Sequence, residues 1–235
     1  MSILSAMQSA AIRLVGQKPA VFFTSSDVFE QEITDLVNEV AKDICKYNDW
    51  QALTKIYNLP SDGVTQAFDL PADYDRQLVV TDIQDLNNWV WGYEHATNIN
   101  EFLYYKARGP QITPGAWIMY NNQLNFYPAP VAANTATFPY ISKNYALDSN
   151  NSGKSEFTAD TDNFIINGGE DLLTLGLVWR WRENKKLDYT GDQEAFTMRA
   201  DQLAAKDKGS NVYRDRSRTR FLNTRIAWPF TLGGI

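Results

Sequence analysis

The chain has 235 residues, with 22 Lys and Arg against 28 Asp and Glu, one His, one Cys and a formal net charge of −6. One His cannot furnish a two-histidine metal site, and one Cys closes neither an intrachain disulfide nor a cysteine-rich zinc site. A composition of 44% hydrophobic and 21% charged residues is that of a folded chain of one or two domains, and 7 Trp, 12 Tyr and 12 Phe point to β-structure, broad interfaces or both.

A first helix is expected where Leu4, Met7, Ala11 and Leu14 recur at three- and four-residue spacing, ended by Gly16 and Pro19. A second starts at Asp27, with Glu30 completing a capping box. Phe29, Ile33, Leu36, Val37, Val40 and Ile44 line one face of it, and Glu32, Asp35, Asn38, Glu39 and Lys42 the other. From Trp50 onward prolines and glycines separate short runs. Thr54–Leu59, Thr65–Leu70, Gln77–Thr81, Trp117–Tyr120, Gln123–Tyr127 and Thr135–Lys143 read as strands. Asp62-Gly63 and Asn121-Asn122 read as hairpin-type turns. Glu101–Lys106 fits a short helix or another strand, and Ser149–Gly153 a polar, mobile loop. Helix returns near Glu170, where Leu172, Leu173, Leu175, Leu177, Val178, Trp179 and Trp181 make a segment apolar nearly all round, expected to be the most buried. Arg180, Arg182, Lys185 and Lys186 suit its C-terminal dipole. A last helix runs from about Asp192 to Asp207 on a stripe of Phe196, Arg199/Ala200 and Leu203, with Gly209 as its stop.

The pattern predicts an α+β fold: a helical bundle of residues 1–49 and 164–209, an inserted small antiparallel β-domain of residues 50–163, and an extended arm of residues 210–235. Between Lys206 and Arg225 seven Lys and Arg face Asp207 and Asp215, a local charge of +5 that leaves −11 on the rest. Arginine beside Phe221, Trp228 and Phe230 is the chemistry of a protein-docking arm, so Arg214, Arg216, Arg218, Arg220, Phe221, Arg225, Trp228 and Phe230 are the candidate partner-binding residues. Spaced arginines also suit nucleic-acid phosphates, which makes DNA binding by the arm an alternative.

Enzymatic signals are sparse. There is no P-loop, G-x-G-x-x-G, G-x-S-x-G or H-E-x-x-H, and no cofactor, metal or catalytic residue is expected. His95 reads as structural, Cys45 as a small packed residue, and Gly168-Gly169 as a turn before a helix. Glu156, Asp160, Asp162 and Glu170 are the candidates if paired carboxylates hydrolyse a sugar polymer. The N-terminus has no basic residue before Arg13, so no secretory signal is expected. The most apolar stretch, Leu172–Trp181, has about half the roughly 20 residues a membrane span needs, so no membrane association is expected.

Four stretches carry a family resemblance. They are Asp35-Leu-Val-Asn-Glu-Val-Ala-Lys-Asp-Ile-Cys-Lys-Tyr-Asn-Asp-Trp-Gln-Ala-Leu-Thr-Lys55, Phe68-Asp-Leu-Pro-Ala-Asp-Tyr-Asp-Arg76, Gln123-Leu-Asn-Phe-Tyr-Pro-Ala-Pro130 leading to Tyr140-Ile-Ser-Lys-Asn-Tyr145, and Phe157-Thr-Ala-Asp-Thr-Asp162 followed by Asp171-Leu-Leu-Thr-Leu-Gly-Leu-Val-Trp-Arg-Trp-Arg182 and Leu187-Asp-Tyr189. In this order, across roughly Asp35 to Gly209, the chain resembles the head-to-tail adaptor (connector) proteins of tailed bacteriophages, similar in role to tail tubular protein A of short-tailed phages. The resemblance implies a structural virion protein, made in the host bacterial cytoplasm and placed in the neck. It also implies a ring, usually of twelve subunits, below the portal protein. Such a ring accepts the tail or nozzle protein, and packaged DNA passes through it without sequence-specific binding. Some adaptors of short-tailed phages are thought also to cleave cell-wall polymers, which keeps the hydrolase alternative open.

Overall fold

Asp27 starts the longest helix because its carboxylate accepts from the Phe29 amide at 2.9 Å, and its own amide donates to the Ser25 hydroxyl at 3.1 Å. The second half of the expected capping box thus comes from Ser25 instead of Glu30. In the computed structural model, residues 2–78, 83–85, 89–108, 115–132 and 136–207 are described. Their elements are, in chain order, α1 (Ile3–Val15), α2 (Val28–Tyr47), β1 (Thr54–Asn58), β2 (Ala67–Asp69), β3 (Tyr74–Gln77), β4 (Ile83–Asp85), β5 (Trp89–His95), α3 (Ile99–Arg108), β6 (Gly115–Tyr120), β7 (Gln123–Tyr127), β8 (Ala136–Ser142), β9 (Ala146–Leu147), β10 (Gly153–Lys154), β11 (Asn163–Phe164), α4 (Gly169–Asn184) and α5 (Thr190–Asp207). The class is α+β, and the chain divides into one unit containing residues 2–55 and 141–207 and another containing residues 56–140.

In the helical unit α4 is central and packs against α1, α2 and α5. Its periodicity explains this: Leu172, Leu173, Thr174, Leu177, Val178 and Trp179 are all buried, so no polar stripe is left to face water. Gly168 enters the helix in the left-handed region at φ 75°, which glycine adopts at little steric cost. Gly176 lets α2 approach: a Cβ there would collide with Val40 Cγ1 and lie 3.3 Å from Phe196 of α5. On α1 the buried residues are Ile3, Ala6, Met7, Ala10 and Ala11. Leu4 and Leu14, expected on the stripe, sit at its margin, because small alanines seat a helix closer than leucines do. Trp50 is fully buried and its indole N–H donates to the Ile44 carbonyl at 2.7 Å, satisfying an orphan acceptor at the end of α2.

Residues 141–163, assigned to the insert by the sequence pattern, associate with the helices. They form a three-stranded antiparallel sheet, β10-β9-β11, bridged to the start of α1 through Ser2 and Asn163. Ser149–Gly153 is a tight turn and not the loose loop its polarity suggests: the Asp148 carboxylate accepts from the Asn150 and Ser152 amides, both at 2.8 Å.

The second unit is built on an eight-stranded sheet of order β1-β8-β4-β5-β6-β7-β2, with β3 pairing β8. It is mixed where an antiparallel domain was expected: β5 and β6 run parallel, with α3 in the connection between them. The sequence pattern misses β4 and β5 because their flanking polar residues hide any alternation. Leu59, Phe68, Ile83, Tyr93, Trp117, Leu124, Phe126, Phe138 and Tyr140 form the core of this unit. Asn121 and Asn122 (φ 52° and 59°) make the expected two-residue hairpin, setting Tyr120 opposite Gln123. Asp62-Gly63 does not make a hairpin, since β1 pairs within the sheet with β8, and β2 pairs with β7. It is a capped turn, in which the Asp62 carboxylate takes the Thr65 amide, the Thr65 hydroxyl and the Val64 amide, and these bonds hold its pKa down at about 2.

Candidate functional site

The carboxylates that sequence reasoning offered to a hydrolase are each engaged in the fold. Asp162, 1% exposed, accepts from the Thr158 and Ala159 amides and from Lys154 Nζ at 2.8 to 3.1 Å. Burial by itself would raise its pKa, but those donors outweigh burial and hold the group below the ordinary carboxylate range. Asp160 accepts from the Phe22 and Phe23 amides, tying the α1–α2 connection to residues 158–162. Glu156 pairs with Lys42 at 2.7 Å, and Glu170 accepts from the Ser5 hydroxyl at 3.4 Å. These groups act as anchors for turns and helix ends. Among the described residues, no group of three or more His, Cys, Asp and Glu could hold a metal ion. His95 lies on the surface with its ring 4.6 Å from that of Trp117, in keeping with a structural role.

A groove of about 660 Å³ runs along α2, in the helical unit. α2 supplies Gln31, Thr34, Asp35, Asn38, Glu39 and Lys42 to it, the α1–α2 connection supplies Phe22 and Phe23, and Glu156 and Phe157 close the far wall. The α2 residues are the polar face that the helical pattern exposes; the sequence reads them as a solvated face because Phe157 is distant in the chain. Asn38 joins the two walls. Its side chain accepts from the Phe157 amide at 2.8 Å and the Tyr145 hydroxyl at 3.0 Å, and donates to the Phe157 carbonyl at 3.2 Å. A mid-helix Asn on the boundary of an apolar face is the signal that could have located this wall.

Charge in the groove is mainly negative. Asp35 has no ion pair or hydrogen bond among the described residues, and Glu39 is 3.8 Å from Arg180. Further along α2, Arg180 is fixed by Asp43 at 2.7 Å and Glu183 at 3.1 Å, and lies over the Trp179 ring. Burial lowers its pKa, and these acids more than restore it. Asp35 also borders a second hollow of about 280 Å³ with Glu32, Leu36, Trp181, Asn184 and Lys185. There Lys185 and the Trp181 indole hydrogen-bond Glu32, and Lys185 lowers its pKa most. Arg214, Arg216, Arg218, Arg220, Phe221, Arg225, Trp228 and Phe230 lie outside the described residues, as does Gly209.

The described residues form an α+β chain whose candidate carboxylates brace its own turns and whose helical unit carries a charged groove. The family model described as SU10 adaptor protein matches residues 1–226, and the chain belongs to that family. No curated protein matches it. The four stretches quoted from Asp35 onward all lie within that match, which bears out the resemblance to phage adaptors. As a phage adaptor the protein is a structural component that joins portal and tail components in the virion neck. Among the described residues, no helix is long and apolar enough to cross a membrane.

Proposed function

We propose that copies of this adaptor, twelve in number, form a ring below the portal that connects the capsid to the tail or nozzle and lines the channel through which DNA leaves. The observation that carries this reading is the family match over residues 1–226, and the division of charge supports it. A body of −11 suits a channel along which DNA slides without sticking, and head-to-tail contacts close into rings when the rotation between subunits allows. The arm, with Arg214, Arg216, Arg218, Arg220, Phe221, Arg225, Trp228 and Phe230, grips the portal, its arginines meeting acidic surface there. The helical unit and the inserted β-rich unit form the wall of the ring.

The experiment is truncation after Gly209. The shortened protein should keep the circular dichroism and melting transition of the full chain, yet fail to bind isolated portal. Mass photometry with and without portal reads the ring number directly. Undiminished portal binding by a folded, truncated chain would overturn the arm's role, and a complex with a stoichiometry other than twelve would overturn the ring number.

A further inference from the structure

We propose that the C-terminal end of α1 in one copy docks on the outward face of α2 in the next, with Arg13 and Lys18 meeting Asp35 and with Ile12 and Val15 covering Val28. The contact presupposes the ring proposed above and names the surfaces that close it. Three observations within the helical unit carry it. The first is the spread of charge. Residues 1–26 hold Arg13 and Lys18 and no acid, whereas residues 27–49 hold seven acids against Lys42 and Lys46. A basic segment is thus followed by an acidic one in the same unit, and the two attract each other between copies set side by side in one sense around a ring.

The second observation is which charges the fold leaves over. Arg13, Lys18 and Asp35 are exposed, and their side chains make no ion pair or hydrogen bond among the described residues. The acids around Asp35 are engaged within the molecule: Glu32 with Lys185, Glu39 with Arg180 and Glu156 with Lys42. Asp35 is therefore the groove carboxylate left for a partner, and the partner's cations must come from outside the molecule's own pairs. Arg13 and Lys18 of a second copy meet that requirement.

The third is the apolar surface beside those charges. The outward line of α1 begins with Ser5 and Ser9 and turns apolar at Ile12 and Val15, which are 49% and 43% exposed. On α2, Val28 is 70% exposed and shares a face with Asp35, two turns further on. Aliphatic groups flanked by unpaired charges make the apolar centre and polar rim of a protein contact. α1 and α2 each pack on α4 and touch each other little, so the two surfaces lie on separate flanks and can be used at once, as a ring of identical contacts requires. Patches this small fall short of the about 800 Å² per partner of a stable free pair, so the contact gains its strength from repetition around the closed ring.

The test loads full-length chains on isolated portal and reads the ring by mass photometry. Arg13→Glu/Lys18→Glu should cut the fraction of closed rings severalfold, and so should Asp35→Lys, each with an unchanged melting transition. An equal mixture of the two variants should restore rings, because every reversed α1 end can then meet a reversed α2 face and every native end a native face. A chain carrying all three substitutions should restore them as well. Undiminished rings from either variant alone would overturn the inference while leaving the ring reading intact. Failure of the mixture or of the triple variant to recover would also overturn it, since the charges would then not face each other. No ring from the wild-type chain on portal would instead overturn the ring reading, and this contact with it.

Discussion

Asn38 and Phe157, 119 positions apart in the chain, are joined by a pair of hydrogen bonds running in both directions. The Asn38 side-chain oxygen takes the Phe157 amide at 2.8 Å, and its NH2 group gives to the Phe157 carbonyl at 3.2 Å. The same oxygen takes the Tyr145 hydroxyl at 3.0 Å. One amide on α2 therefore satisfies three groups of the segment that returns from the β-rich unit. Burial is the main cause that pushes the Tyr145 hydroxyl pKa upward, with Glu156 adding to it, so the phenol is a donor at neutral pH and well above it. Asn38→Ala leaves those three groups without a partner and should cost about 3 kcal/mol in urea unfolding. Asn38→Asp keeps the acceptor and loses the donor, so it should cost less than the alanine variant near neutral pH. Equal losses for the two would show that the Asn38–Phe157 bonds do not act as described.

The helices were legible because their signals are local. The α4 segment is apolar on all sides, and it is the buried hub; of the stripe expected on α5, Phe196, Ala200 and Leu203 face inward, while Arg199 lies outside it and pairs with Asp171. What was not legible depends on distant pairing. Nothing near Ile141 shows that the chain has rejoined the helical unit, because the partner that holds residues 145–157 is Asn38. β5 was hidden as well, because the polar residues before it, Asn87 and Asn88, mask the aromatics that recur at Trp89, Trp91 and Tyr93. The groove was hidden for the same reason as Asn38: Asp35 and Glu39 look like an ordinary wet helix face until Glu156 and Phe157 are set beside them. The four proposed hydrolase carboxylates were visible as residues, but Asp160 and Asp162 work through backbone amides, and Glu156 and Glu170 through Lys42 and Ser5, partners far off in the chain.

Gly176 should tolerate no side chain. A methyl group there points at Val40 Cγ1, the branched end of a residue fully enclosed on α2, with the Phe196 ring on its other side. Gly176→Ala gains helix propensity of nearly 1 kcal/mol, yet overpacking costs about 1 to 3 kcal/mol, so the net effect should be destabilising. The double variant Gly176→Ala/Val40→Ala should recover part of the loss, because the second change removes the obstructing methyl group. A cycle of thermal melts checks this: a coupling near zero would mean that α2 and α4 do not meet through these two positions.

Asn122 in the β6–β7 hairpin holds φ at 59° and follows Asn121 at 52°. Both central positions of such a turn are left-handed, a region that costs most side chains about 1 to 2 kcal/mol and that asparagine tolerates better. Asn122→Gly should therefore stabilise the protein by about 0.5 kcal/mol, and Asn122→Val should destabilise it by more than 1 kcal/mol, read as opposite shifts of the thermal midpoint. A stabilising valine would contradict the turn geometry.

Asp162 should set the acid limit of the helical unit. In the folded chain its pKa lies below the ordinary carboxylate range: burial disfavours the charged form, but two amides and Lys154 favour it more. A carboxylate whose folded pKa is depressed contributes stability that is fully present above its unfolded value and is lost as pH falls through the folded one. Asp162→Asn keeps an acceptor for one amide but ends the ion pair with Lys154, whose side chain is 30% exposed. It should cost about 2 kcal/mol at neutral pH. The gap between wild type and variant should then close below about pH 4, where the wild-type carboxylate also gains a proton. Urea midpoints across pH 2 to 8 measure this, and a gap that stays constant on acidification would mean that Asp162 is not held charged. The same variant bears on catalysis, because any loss of wall-cleaving activity that merely followed the unfolded fraction would assign Asp162 to the fold and not to a reaction.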